Sequence, residues 1–162
     1  MLQSSPHQTV VVGVDGTAAS AAAVRWAAAE ATRRGARLHA VHVIEHGECE
    51  YLRHPRDVRL ELESARQTVP HRVAAWVWAE GLDLDIAVSV VTGDVAHQLA
   101  REAGDAALVV IGAPGSLHHT ALPADLALGC LCPIAVVGAL GDVAYVDIPV
   151  HSSTKGASHA RP

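Results

Sequence analysis

The chain has 162 residues, half of them hydrophobic and 18% charged, with a formal net charge of −5. That length suits one domain with a real core, and the composition excludes a disordered chain. The acidic balance argues against a nucleic-acid binder, which carries a basic stripe. Arg33 and Arg34 are the only adjacent basic pair and read as a solvated helix end. Cys49, Cys130 and Cys132 make no disulfide framework and suit a reducing compartment. The opening MLQSSPHQT lacks the regions of a signal peptide, and no apolar run is long enough to cross a membrane. A soluble, cytoplasmic protein is expected, with no nucleic-acid or membrane partner.

Residues 1–8 read as a flexible N-terminus. The β-branched run TVVVGVDG, from Thr9 to Gly16, marks a strand buried on both faces. An alanine-rich helix follows, opening on Thr17 as cap, with Arg33 and Arg34 in its last turn and Gly35 as its stop. Ala36 to Glu45 form a second strand, and the polar stretch 46–56 a loop. A helical region spans about Asp57 to Glu80; Pro70 interrupts it and is expected to open a separate segment. Within that segment Val73, Ala74 and Val77 make an apolar stripe. Of the neighbouring tryptophans Trp76 and Trp78, one is expected to pack and one to be partly exposed.

Strand three is DIAVSVVTG, Asp85 to Gly93. A short helix then has Asp94 as cap and Gly104 past its end. Strand four is ALVVIGA, Pro123 to Leu131 form a short helix, and Cys132 to Gly138 strand five. Alternation of this kind predicts an α/β fold, an open five-stranded parallel sheet with helices on both faces, over residues 9–138. Residues 139–151 read as a C-terminal extended segment and 152–162 as a disordered tail.

Open α/β sheets take ligands beyond the carboxyl ends of their strands, where neighbouring connections run to opposite faces. Asp15 and Gly16, Val43 to Glu45, Gly93, and Gly112 to Ser116 all end there. Asp15 is placed to accept from a sugar hydroxyl, to help hold magnesium, or to cap the following helix. Each glycine alone is a turn residue; their convergence on one crevice points to a ligand.

VVVGVDGTAASAAAVRWAAAEATRRGARLHAVHVIE, VVTGDVAHQLAREAGDAALVVIGAPG and CPIAVV, in that order, resemble the universal stress protein family from about Val10 to Val137. The resemblance implies a five-stranded parallel domain, a homodimer through the edge of its last strand, and ATP binding in some members. Carried onto this chain, the implied nucleotide contacts are Asp15, Val43, Gly112 and Gly115. The family's loop runs glycine, two residues, glycine, nine residues, then glycine with serine or threonine. Gly112-Ala113-Pro114-Gly115 satisfies the first half, but nine residues beyond Gly115 stand Asp125 and Leu126. A register about five residues shorter brings His119-Thr120-Ala121 to that place instead, so that Thr120 offers a hydroxyl and His118 or His119 a donor. Either register leaves a weaker anion nest, because the glycine is missing and Pro114 carries no amide hydrogen.

Other constellations read as structural. His39 and His42 lie three apart on a strand and face opposite sides, so they cannot chelate together. His118 and His119 beside Ser116 and Thr120 lack the further ligands a zinc site needs and the orienting carboxylate of a triad. Cys130-Leu131-Cys132 lacks the two-residue spacing of a redox pair. Neither a P-loop nor Gly-x-Gly-x-x-Gly is present. The expectation is a non-enzymatic regulatory module of the stress response, at most a very slow ATPase, binding ATP weakly, with magnesium only alongside it. Two alternatives stay open: a nucleotide-free dimeric module acting through a protein partner, and an enzyme of adenylyl or phosphate esters using Ser116 to Thr120.

Overall fold

The computed structural model describes residues 8–45, 54–114 and 121–146. Its elements are β1 (Thr9–Gly13), α1 (Ala18–Arg34), β2 (Arg37–Glu45), α2 (Pro55–Ala79), β3 (Ile86–Gly93), α3 (Val95–Ala103), β4 (Leu108–Gly112), α4 (Leu122–Gly129), β5 (Ile134–Val137) and β6 (Val143–Val146). The sheet order is β3-β2-β1-β4-β5-β6, and the first five strands pair in parallel. Unbroken apolar runs occupy the middle: Val10 to Val12 and Leu108 to Val110 are fully buried. Strands covered on both faces need side chains that are apolar at every position.

Alternate residues of those strands feed two cores. Val10, Val12, Leu38, Leu108 and Val110 meet α1 and α2 on one face, where Ala23, Ala27, Ala31, Val73 and Val77 pack. Val11, Val41, Val109, Ile111 and Ile134 meet α3 and α4 on the other, through Leu99, Ala103 and Leu126. Connections out of β1 and β2 therefore run to one face, and those out of β3 and β4 to the other. The reversal falls between β1 and β4.

The sheet has six strands, not five. β6 pairs antiparallel with β5, matching Val137 with Val143 and Ile134 with Val146. A tight turn makes this possible: Gly138 N–H donates to Asp142 O (2.8 Å), and Gly141 turns at φ +87°. The extended segment after Gly138 therefore covers the edge of strand five. β5 is paired on both sides, so the expected dimer through that strand has no free edge to use.

Pro70 does not divide the second helical region; α2 runs unbroken from Pro55 to Ala79. Val69, Val73 and Val77 hold one ridge of it against the sheet. Beside the missing amide, His71 Nδ1–H donates to Gln67 O (2.7 Å), a side-chain bond onto a carbonyl of the interrupted turn. Helix caps fall where expected: Thr17 Oγ accepts from Ser20 N–H, Asp94 from His97 N–H, and Gly35 closes α1 in the left-handed region. Trp76 packs on the core while Trp78 is exposed.

Candidate functional site

At the reversal point between β1 and β4 the chain leaves a small crevice of about 60 Å3 that opens to solvent. β1 must turn toward α1 while β4 leads to the opposite face, so their carboxyl ends diverge. Val41, Val43, Leu99, Ile111 and Leu122 make apolar walls, and Gly13 and Gly112 take part in the lining without side chains. Asp15 is the single ionisable side chain among the described lining residues.

Asp15 performs the structural role and keeps capacity for another. One carboxylate oxygen accepts from Thr17 N–H (2.9 Å) and Thr17 Oγ–H (2.7 Å), fixing the turn into α1. Thr17, not Asp15, is the cap itself. Ser20, the one buried polar side chain of the described core, accepts from Asp15 N–H through its hydroxyl (3.1 Å). Asp15 Oδ2 takes part in none of these bonds, leaving an acceptor for a ribose hydroxyl or a hydrated cation.

Val43 contributes backbone as well as a wall. The last bond joining β1 to β2 runs from Val14 N–H to Val41 O (2.8 Å). Val43 stands two residues further, so its N–H and C=O face the same side after β1 has turned away. An adenine edge asks for one donor and one acceptor of this kind. His42 Nδ1–H donates to Val14 O (2.7 Å) from the other face of β2, holding the diverging chain in place.

Gly112 is required for packing. A Cβ there would lie 2.8 Å from the carbonyl carbon of Ala19 and 2.8 Å from the amide nitrogen of Ser20. The two described residues after it offer no amide to an anion: Ala113 N–H is already given to Val137 O (2.7 Å), and Pro114 has none. Gly115 and Thr120, with Ser116, His118 and His119, lie outside the described residues. The structure thus brings Asp15, Val43 and Gly112 to one crevice.

Sequence reading misses Ser20 and Arg72. Arg72 stands on α2, and its Nη1 lies 3.0 Å from where a Cβ on Gly16 would sit, placing a guanidinium beside the β1–α1 turn. Its spacing to the buried Val69 and Val73 marks it only as an exposed helix position. The packing of α1 against α2 brings it to that turn.

Elsewhere, His39 Nε2 sits 2.8 Å from Ser89 Oγ and 3.6 Å from Glu102 Oε2. Both contacts use the same ring nitrogen, whereas a catalytic relay needs the acid on the other. Burial pushes the His39 pKa down against the opposing pull of Glu102. Cys130 and Cys132 are buried free thiols; burial raises both, Cys130 to about 11, which suppresses the reactive thiolate. No group of three or more metal-ligating side chains occurs among the described residues, and no described helix is long and apolar enough to cross a membrane.

The family model for the universal stress protein family matches residues 6–137. A universal stress protein of Mycobacterium tuberculosis (strain H37Rv) is 31% identical over 145 residues, covering 85% of this chain and 51% of that protein. The chain thus spans about half the length of the curated relative it matches. A universal stress family protein from Burkholderia pseudomallei superposes with a TM-score of 0.63 at 22% identity, covering 83% of this chain and 98% of that one. The universal stress protein from Archaeoglobus fulgidus in complex with dAMP gives 0.58 at 21% identity, covering 80% and 97%. At these identities the two superpositions establish the fold.

Proposed function

Because the chain belongs to the universal stress protein family, we propose that it is a cytoplasmic, homodimeric regulatory module of the stress response that binds adenine nucleotides weakly. The adenosine end takes the crevice and the phosphates contribute little. One observation carries this reading: the crevice offers an acceptor, backbone polarity and apolar walls suited to adenosine, while the two described residues on its phosphate side have no amide to give. Val43 supplies backbone polarity, the walls are apolar, and Asp15 Oδ2 meets the ribose. Ala113 N–H is spent within the sheet, and Pro114 has none to give. The Archaeoglobus relative in complex with dAMP supports a nucleotide with a short phosphate tail.

Magnesium fits only as a companion of bound phosphate, with Asp15 as the single carboxylate at hand. Binding rather than catalysis is the role proposed for the module, with at most very slow ATP hydrolysis. The absence of a free amide at Ala113 and Pro114 also supports a second reading, a nucleotide-free module that acts through a protein partner.

Titration calorimetry with AMP, ADP and ATP, each with and without magnesium, tests the proposal. Weak binding nearly equal across the three is expected, with little effect of magnesium. Tight, magnesium-dependent binding graded ATP above AMP would overturn it, and no heat from any of them would leave the second reading.

A further inference from the structure

We propose that two copies of this chain pair through their β3 edges, antiparallel about a two-fold axis at Ser89, so that two six-stranded sheets join. This rests on the homodimer reading above and names the surface that serves it.

Among the described residues the sheet ends in two strands with one neighbour each, β3 and β6. Leu38 N–H donates to Asp85 O (3.0 Å). In a parallel ladder that start commits the odd-numbered residues of β3 to β2. Ile86, Val88, Val90 and Thr92 therefore turn their N–H and C=O groups outward. At the other end Gly138 bonds Asp142, so the even-numbered residues of β6 face β5 and only Val143 and Tyr145 face out. Among the described residues β3 turns twice as many backbone groups outward as β6 does.

Its sequence, IAVSVVTG, carries none of the devices that blunt an edge: no charge, no proline, and five β-branched residues in eight. A second copy is the strand that fits it best. With Ser89 facing Ser89, Ile86 pairs with Thr92 of the partner subunit and Val88 with Val90 of the partner subunit, in both directions. All four outward residues of each copy are then used, and every pair is of the hydrogen-bonded kind. Charge follows the same symmetry. Asp83 and Asp85 lead into β3, although Asp85 is also held by Arg37 (2.6 Å). A groove of about 270 Å3 beside Val90 to Thr92 is flanked by Arg66 from α2 and by Arg101 and Glu102 from α3. An antiparallel partner lays its acidic lead-in against the two arginines at that end, which outnumber Glu102; a parallel one would not.

Analytical ultracentrifugation of the full chain tests this. The wild type is expected to be a dimer at tens of micromolar (~10 μM or above). Val90→Pro removes an outward N–H without touching the β2 ladder, and should weaken the dimer at least about tenfold with the far-ultraviolet circular dichroism unchanged. Ser89→Cys in a Cys49→Ser background is an independent arm. The non-hydrogen-bonded pair brings the two Cα atoms to about 4.5 Å, so air oxidation should yield an interchain disulfide. A wild-type dimer that Val90→Pro leaves intact, or in which the thiols introduced by Ser89→Cys stay reduced, would overturn the β3 surface and spare the homodimer reading. A monomeric wild type would overturn both and leave the edge to a strand from a different chain.

Discussion

Replacing Gly112 with alanine separates two reasons for a glycine at the end of β4. If the residue serves packing, the added methyl meets the main chain of α1: 2.8 Å from Ala19 C and Ser20 N, and 3.1 Å from Ala19 O. Ordinary contact begins near 3.4 Å, so helix and strand must part by about half an ångström. The obstructing atoms are backbone and cannot rotate aside. They belong to a first turn anchored by buried Ser20, whose displacement moves the helix against a core of valines and alanines. Overpacking of this kind costs about 1–3 kcal/mol. For a chain of this size that corresponds to a fall in Tm of roughly 2–10 °C. Gly13→Ala is the internal control, since its methyl meets Leu99 Cδ1 at 3.3 Å, the end of a flexible side chain. Its cost should stay below about 1 kcal/mol. Thermal melts of both variants, followed by AMP titration of each, decide the matter. A Gly112→Ala protein that melts with the wild type would refute the packing argument. If it also failed to bind AMP, the glycine would be there for the ligand.

Thr17→Ala removes both the α1 cap and a donor to Asp15, and should lower stability by about 1 kcal/mol in urea denaturation. Asp15→Asn keeps an acceptor for Thr17, so Tm should hardly move, while calorimetry should show AMP and ATP weakened by a common factor of about ten. His39 has its folded pKa below the ordinary 6.5, so the unfolded chain takes the proton first and stability falls as pH drops below that value. Urea melts at pH 7.5 and 5.5 should show a smaller loss in His39→Gln; an unchanged loss would place the sensitivity elsewhere. Glu30 is held at about 2, chiefly by its hydrogen bond to Arg33, with Arg34 assisting against burial. Its contribution is present above pH 4.5 and disappears toward pH 2, so Glu30→Gln should melt below the wild type at neutral pH and together with it near pH 2.

The elements legible in the sequence are those whose causes are local. Val10 to Val12 and Leu108 to Ile111 declare a doubly covered sheet without knowledge of their neighbours. Thr17, Gly35 and Asp94 declare helix ends through hydrogen bonds spanning four residues or fewer. Once the strand order follows, so does the crevice with Asp15, Val43 and Gly112. Pro70 misleads because its local penalty is real but is met from a distance, by the valine ridge that α2 lays on the sheet. Arg72 is invisible for a similar reason, as nothing within α2 says that its guanidinium reaches Gly16. The segment after Gly138 reads as extended, but its pairing with β5 depends on the Gly138–Asp142 turn, where a Cβ on Gly138 would overlap the Asp142 carboxylate.

The added strand and the start of the loop after β4 meet at one place, and the first constrains the second. Val137 ends β5 and pairs with Val143 on one side. On its other side its carbonyl accepts from Ala113, the first residue beyond Gly112. A phosphate nest requires consecutive amides turned toward the ligand, and Ala113 can turn only by leaving Val137. Were β5 a free edge, its last residue could move with the loop. With β6 bonded beyond it and the Gly138 turn closed, that residue is held on two sides. Removing the turn, by Gly138→Ala, should therefore loosen β6 and the Ala113 bond together. Amide hydrogen exchange reads both, at the amide of position 138 and at Ala113 N–H. Protection lost at position 138 but retained at Ala113 would show that β4 fixes the loop alone, and that the C-terminal strand has no part in how this chain treats phosphate.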